Sequence, residues 1–170
     1  MKNEEQILDF LLEVYKLKEI KRSGWLKKVK VSESESVASH TFGMALIALL
    51  FGYEDLLSAI ITHDIAESIL GDLMPEEKDQ KIKAKEEMIF NNLLKNMPIN
   101  IRTKIEKTKN NRMVKEIDKL DMAIQALYYK LKGFDKDKLA EFIASADKSI
   151  KNKNLRKILT IVKKRFQIDN

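Results

Sequence analysis

The stretch Leu56-Leu57-Ser58-Ala59-Ile60-Ile61-Thr62-His63-Asp64-Ile65-Ala66-Glu67 decides how the chain is read. Its apolar residues (Leu56, Leu57, Ala59, Ile60, Ile61, Ile65) nearly encircle a helical wheel, which predicts one central helix over about 54–67, buried on most sides. Such a helix should not carry His63, Asp64 and Glu67. A carboxylate or imidazole in low dielectric costs several kcal/mol unless it is paired or binds a metal. On a helix, positions 63 and 67 share a face, as do 64 and 67, while neighbours lie about 100° apart. All three polar groups can therefore lean toward one pocket wall.

Outward from this segment the pattern stays helical. Ile7, Phe10, Leu11, Val14 and Leu17 form an apolar stripe, with Asn3 as the expected N-cap and Glu4 and Glu5 in the first turn. An irregular stretch, 21–36, contains Ser23-Gly24-Trp25. A second helix is expected from Ser36 to Phe51, closed by Gly52. Further helices read as about 79–96, 99–108, 111–132, 137–150 and 152–167, with Pro98 and Gly133 as breaks. No segment alternates with period two for long enough to make a strand. The fold class is all-α, a compact multi-helix bundle around the central helix. No repeat or linker divides it, so 1–170 reads as a single domain.

Composition removes many alternatives. There is no cysteine, which excludes disulfide scaffolds, thiolate-bound zinc, iron–sulfur clusters and thiol nucleophiles. The only histidines are His40 and His63, so imidazole chemistry must use one or both. The formal net charge is +6, yet just five of the 32 basic residues are arginines, and lysines mixed with acids describe a solvated face. A basic helical module on nucleic acid is accordingly disfavoured. The N-terminus has no signal-peptide run, and the longest apolar stretch, 44–51, is too short to span a bilayer, so a cytoplasmic location with no membrane partner is expected.

A His-Asp pair at one of two histidines arises by chance about one time in eight with eleven aspartates present. The dipeptide is a weak signal until other residues join it. His40 follows Ser36 by one helical turn, on a stretch (Val37, Ala38, Phe42, Ala45) that looks core-facing. Its ordinary reading is a partly buried imidazole. Asp118 directly follows core-like Ile117 and is the better inward ligand. Asp121, among lysines, reads equally well as an exposed acid.

The order His40, then His63-Asp64, then Asp118, each on its own helix, resembles the HD-domain metal-dependent phosphohydrolases, and within them the 5'-deoxynucleotidase branch. The matching segments are Lys21-Arg22-Ser23-Gly24-Trp25-Leu26, Glu35-Ser36-Val37-Ala38-Ser39-His40, His63-Asp64-Ile65-Ala66-Glu67 with Gly71-Asp72, Lys85-Glu86-Glu87, and Ile117-Asp118-Lys119-Leu120 followed by Gln125-Ala126 and Tyr129. Together they cover about 7–130. The resemblance implies that His40, His63, Asp64 and Asp118 ligate one divalent metal. This nitrogen and oxygen set suits Mn, Co, Fe, Ni or Mg, with Zn admissible. It further implies catalytic roles for Glu67 and Asp72, substrate contacts from Arg22, Trp25 and Asp72, a nucleotide substrate, and a homodimer.

The activity so implied is hydrolysis of (deoxy)nucleoside 5'-monophosphates to nucleoside and phosphate, with an HD-type triphosphohydrolase or phosphodiesterase as the alternative. Three positions depart from relatives. Ser39 and Gly43 stand where an acid and an arginine are common, which bears on substrate choice. Ser68 stands where the guanosine tetraphosphate hydrolases carry an acid after Glu67. Residues 134–170 carry no motif and read as two amphipathic packing helices.

Overall fold

A computed structural model describes residues 4–168 and shows an all-helical fold. The helices are α1 (Glu4–Tyr15), α2 (Val37–Leu50), α3 (Leu57–Thr62), α4 (Glu67–Leu70), α5 (Gln80–Leu94), α6 (Ile99–Thr108), α7 (Arg112–Leu131), α8 (Lys136–Ser149) and α9 (Lys153–Gln167). No strand occurs among the described residues; Lys21 and Ser36 form an isolated antiparallel bridge. The Asn3 cap falls outside the described residues.

The ends of the helices follow their capping chemistry. Ser36, Asp79, Asn111, Asp135 and Asn152 each accept a backbone N–H from the first turn of the helix they precede. Gly52, just past the end of α2, has φ +72°, a conformation that favours glycine.

The axis of the fold is α7, not the 54–67 segment. It packs on α2, α8 and α9, and α2 in turn packs on α3. Ile117, Leu120, Ala123 and Ala126 of α7 are fully buried, with Ile60 of α3 and Met44 and Ala48 of α2 in the same cluster. Each of the larger side chains (Met44, Ile60, Ile117, Leu120) contributes about 1.5–3 kcal/mol through burial. A second, smaller cluster joins Ile65 and Ala66 to Ile89 and Leu93 of α5, with Phe10 and Val14 of α1 packed against it.

The expected helix over 54–67 does not run through. A 3₁₀ turn at Glu54–Leu56 leads into α3, which ends at Thr62, and α4 starts at Glu67. Between them the backbone bonds run from residue i to i−3: Ile65 to Thr62, Glu67 to Asp64, Ser68 to Ile65. That winding places i and i+3 in register, so Asp64 and Glu67 eclipse one another. The break carries the chain from the larger cluster, at Ile60, to the smaller one, at Ile65.

Two expected apolar faces are only partly covered. On α1, Phe10 and Val14 pack against the second cluster while Ile7 and Leu11 are exposed, and no residue of the helix is fully buried. On α2, Phe42 is 70% exposed, against the core-facing reading, because α2 turns Met44, Ile47 and Ala48 inward and a helix cannot bury both sides here.

A buried carboxylate, Glu116, fixes the start of α9. It accepts the backbone N–H groups of Lys151 and Asn152 at 2.8 and 2.6 Å and pairs with Arg112. Glu116→Ala leaves these donors unpaired, and we expect a loss of about 2–4 kcal/mol in urea denaturation, with little loss for an exposed control such as Glu106→Ala.

Candidate metal centre

The residues singled out by sequence meet where α2, the 63–66 turn and α7 converge. His40 from α2 is 1% exposed. His40, His63 and Asp118 each offer a ligand atom, and these atoms lie within 4.8 Å of one another. Asp64 lies at the edge of that set, with Oδ2 3.0 Å from Nε2 of His63 and 3.3 Å from Nη1 of Arg22.

Both imidazoles are held by Nδ1. His63 donates from Nδ1 to the Ile60 carbonyl at 3.0 Å, an acceptor that fixes the proton on that nitrogen. His40 Nδ1 lies 2.7 Å from Oδ2 of Asp121. Nε2 of His40 is buried, 3.2 Å from Oδ1 of Asp118, and makes no directed hydrogen bond. Buried imidazole nitrogen beside carboxylate oxygen, without any thiolate, is the donor chemistry of a hard or borderline divalent cation. The residues present fit one.

The electrostatics of the site follow from crowding. Burial works against charge on His40, but Asp118 and Asp121 on its two sides lift the ring to about 10. Burial would raise Asp118, yet His40 and Lys119 hold it well below the usual carboxylate range. Asp64 is likewise held low by His63 and Arg22 against the effect of burial. Glu67 goes the other way: burial, then the Asp64 and Asp72 carboxylates, push it up to about 9. Its Oε2 is buried without a partner, and Oε1 lies 3.9 Å from Nζ of Lys78.

Arg22 and Asp72 are one unit. Arg22 Nη1 donates to Asp72 Oδ1 at 2.9 Å, while the backbone N–H and hydroxyl of Ser23 both donate to Asp72 Oδ2. Asp72 thus anchors the 22–24 segment with both oxygens. Trp25 lines the cleft but is only 2% exposed; it stacks on Phe142 with centroids 4.1 Å apart, meets Tyr129 edge-on, and donates from Nε1 to Glu35 at 2.7 Å. The cleft has a volume of about 360 Å³, with His63, Asp64, Glu67 and Asp118 at one end and Met74, Pro75, Met122 and Phe142 among its apolar walls.

Sequence reasoning missed two participants. Phe142, on α8, has no motif around it. Asp121 is 9% exposed rather than solvated. A trace of it was available: Gly43 sits inside α2, where glycine costs about 0.5–1 kcal/mol relative to alanine, and a Cβ there would lie 2.1 Å from Oδ1 of Asp121.

With this geometry in hand, similarity to known proteins can be placed. The family model described as HD domain matches residues 14–159. A Xenopus laevis protein named 5'-deoxynucleotidase HDDC2 is 27% identical, over 93% of this chain and 86% of that one. The 5'-deoxynucleotidase hdd1 of Schizosaccharomyces pombe is 29% identical over 80% of this chain and 78% of its own length. Among solved structures, the PH0347 protein from Pyrococcus horikoshii OT3 superposes with a TM-score of 0.74 at 29% identity, covering 93% of this chain and 99% of that one. With an all-helical frame and the HD-domain model matched over residues 14–159, the chain belongs to the HD-domain family.

Proposed function

We propose that the chain is a divalent-metal-dependent phosphomonoesterase that converts (deoxy)nucleoside 5'-monophosphates to nucleoside and phosphate. The observation that carries this reading is the convergence of buried His40 Nε2, His63 and Asp118, whose ligand atoms lie within 4.8 Å of one another. The similarity to two proteins named 5'-deoxynucleotidase, over more than three quarters of each chain, supports the substrate class. When bound to His40, His63, Asp64 and Asp118, the metal supplies Lewis-acid activation of water and of a phosphoryl oxygen.

The remaining work falls to the chain. Arg22, held by Asp72 and Asp64, keeps guanidinium N–H groups available for phosphate. Glu67 keeps a proton at neutral pH and is placed to move one between the attacking water and the departing 5' oxygen. Trp25, Met122 and Phe142 give the sugar and base an apolar wall. Arg22, Lys78, Lys83 and Lys119 face Asp64, Glu67, Asp72 and Asp118 across the cleft. With Glu67 protonated, these four cations outnumber the three charged carboxylates, and a dication with neutral imidazoles adds to a positive surplus suited to a dianionic monoester.

No described helix is long and apolar enough to cross a membrane. The homodimer implied by the resemblance is supported by α2, where Phe42, Leu46, Leu49 and Leu50 form an exposed stripe at helical spacing.

Protein loaded with Mn(II) or Co(II) should release phosphate from a panel of dNMPs and NMPs. His63→Ala and Asp118→Ala should lower kcat/KM at least ~1000-fold, and Glu67→Gln should lower kcat by roughly 10²–10⁴ while metal still binds. No release by wild type, or pyrophosphate or tripolyphosphate as the product, would sink the reading.

Between pH 4.5 and about 9 the folded chain retains a Glu67 proton that the unfolded chain gives up, so stability falls as pH rises through that window. Metal-free Glu67→Gln should therefore melt several degrees above wild type at pH 8, the gap closing near pH 4.5, as followed by circular dichroism. For the dimer, Phe42→Asp with Leu46→Asp should sediment as a monomer of unchanged helicity.

A further inference from the structure

We propose that Asp121 is the positioning residue that turns His40 toward the metal, and that Gly43 lacks a side chain in order to admit it. The inference rests on the metal reading above and concerns which nitrogen of His40 serves it.

The geometry leaves the imidazole one useful orientation. Asp121 Oδ2 lies 2.7 Å from Nδ1, inside a contact where the ring is 1% exposed. A carboxylate facing Nδ1 keeps the proton there and leaves the Nε2 lone pair for the ligand set with His63 and Asp118. His63 has the same arrangement built from different material: the Ile60 carbonyl accepts from its Nδ1. The fold thus sets both rings by the same nitrogen, once with the backbone and once with Asp121.

Glu35, His40 and Asp121 also bring ligand atoms within 4.8 Å of one another, on the far side of the ring. That cluster does not read as a second metal site. Glu35 already accepts from Trp25 Nε1 at 2.7 Å, and Nδ1 of His40 is taken by Asp121. The ring's single lone pair cannot point both ways.

Gly43 is the steric half of the device. It lies one turn from His40 on α2, and a Cβ added to it would come within 2.1 Å of Asp121 Oδ1 and 2.9 Å of its Cγ. Its φ is not in the left-handed region, so space rather than backbone freedom explains the glycine. Any side chain at 43 must displace the Asp121 carboxylate from its present position against the ring.

The test is Co(II) titration calorimetry together with long-range ¹H–¹⁵N spectra of the Zn(II)-loaded protein, in which just two imidazoles appear. Wild type should bind one ion per chain and show a slowly exchanging Nδ1–H on each ring. Asp121→Ala should weaken Co(II) binding roughly 10- to 100-fold and lose the His40 Nδ1–H signal, with that of His63 intact as the internal control. Asp121→Asn, which keeps a neutral acceptor, should recover much of the affinity. Gly43→Ala should weaken binding on its own but add nothing in the Asp121→Ala background. If Asp121→Ala does not fold, Gly43→Ala decides by the same two readouts, with Asp121→Asn as the rescue control. Binding by Asp121→Ala or Gly43→Ala within twofold of wild type, a His40 signal that survives either of them, or two ions per chain would overturn the assignment. Absence of metal binding by wild type would instead sink the proposed function itself.

Discussion

The structure depends on one clamp: the ring of His40, fully enclosed, lies between two carboxylates of a single helix, Asp118 near Nε2 and Asp121 at Nδ1. Polar groups buried this deeply cost several kcal/mol unless each finds a partner, so α2 and α7 can pack only in the register that supplies both. The same turns of α7 carry Ile117 and Leu120 into the largest apolar cluster. Hydrophobic packing and ligand placement are thus one contact, and a shift of one residue along α7 would break both. An uninterrupted helix of 20 residues, about 30 Å long, gives that contact a rigid backing.

The second constraint is the tight winding at 63–66. An ordinary helix would separate Asp64 and Glu67 by a sixth of a turn, whereas the i to i−3 bonds bring them into register. Two stacked carboxylates near a third, Asp72, cannot all ionise easily in a buried place. Asp64 has His63 and Arg22 in direct contact and keeps its charge; for Glu67, Arg22 and Lys78, the latter at 3.9 Å, do not offset burial and the neighbouring carboxylates, and it keeps its proton. The division of labour between ligand and proton carrier follows from where the cations stand, not from any difference between aspartate and glutamate.

Much of this was legible in the sequence because it is local. The helix starts read near 36, 79, 111 and 152 coincide with residues that cap them, and His40, His63 and Asp118 stand out as polar residues in apolar surroundings. The break after Thr62 was not legible. His63 and Ala66, on either side of it, keep helical backbone angles and no glycine or proline marks it; the change comes where the chain enters the second cluster, at Ile65. Phe42 misled for the opposite reason: its apolar character suits an exposed association face as well as a core. Asp121 and Glu116 were hidden because an acid on a lysine-rich helix looks solvated until its partners, His40 in one case and the 151–152 backbone in the other, arrive from distant sequence.

The apolar half of the cleft belongs to the same class of long-range effects, and it gives the C-terminal helices more than a packing role. Phe142 of α8 stacks on Trp25 and lies 3.4 Å from where a Cβ on Gly24 would be. Arg22 and Ser23, immediately before these residues, are tied to Asp72. The 22–25 segment is therefore gripped at one end by charge from the 63–72 region and at the other by an aromatic stack from α8. Its position, and with it the direction in which Arg22 points, is set by both. An HD domain of this form needs its carboxyl-terminal helices to shape the mouth of its cleft, although every proposed metal ligand precedes them in the chain.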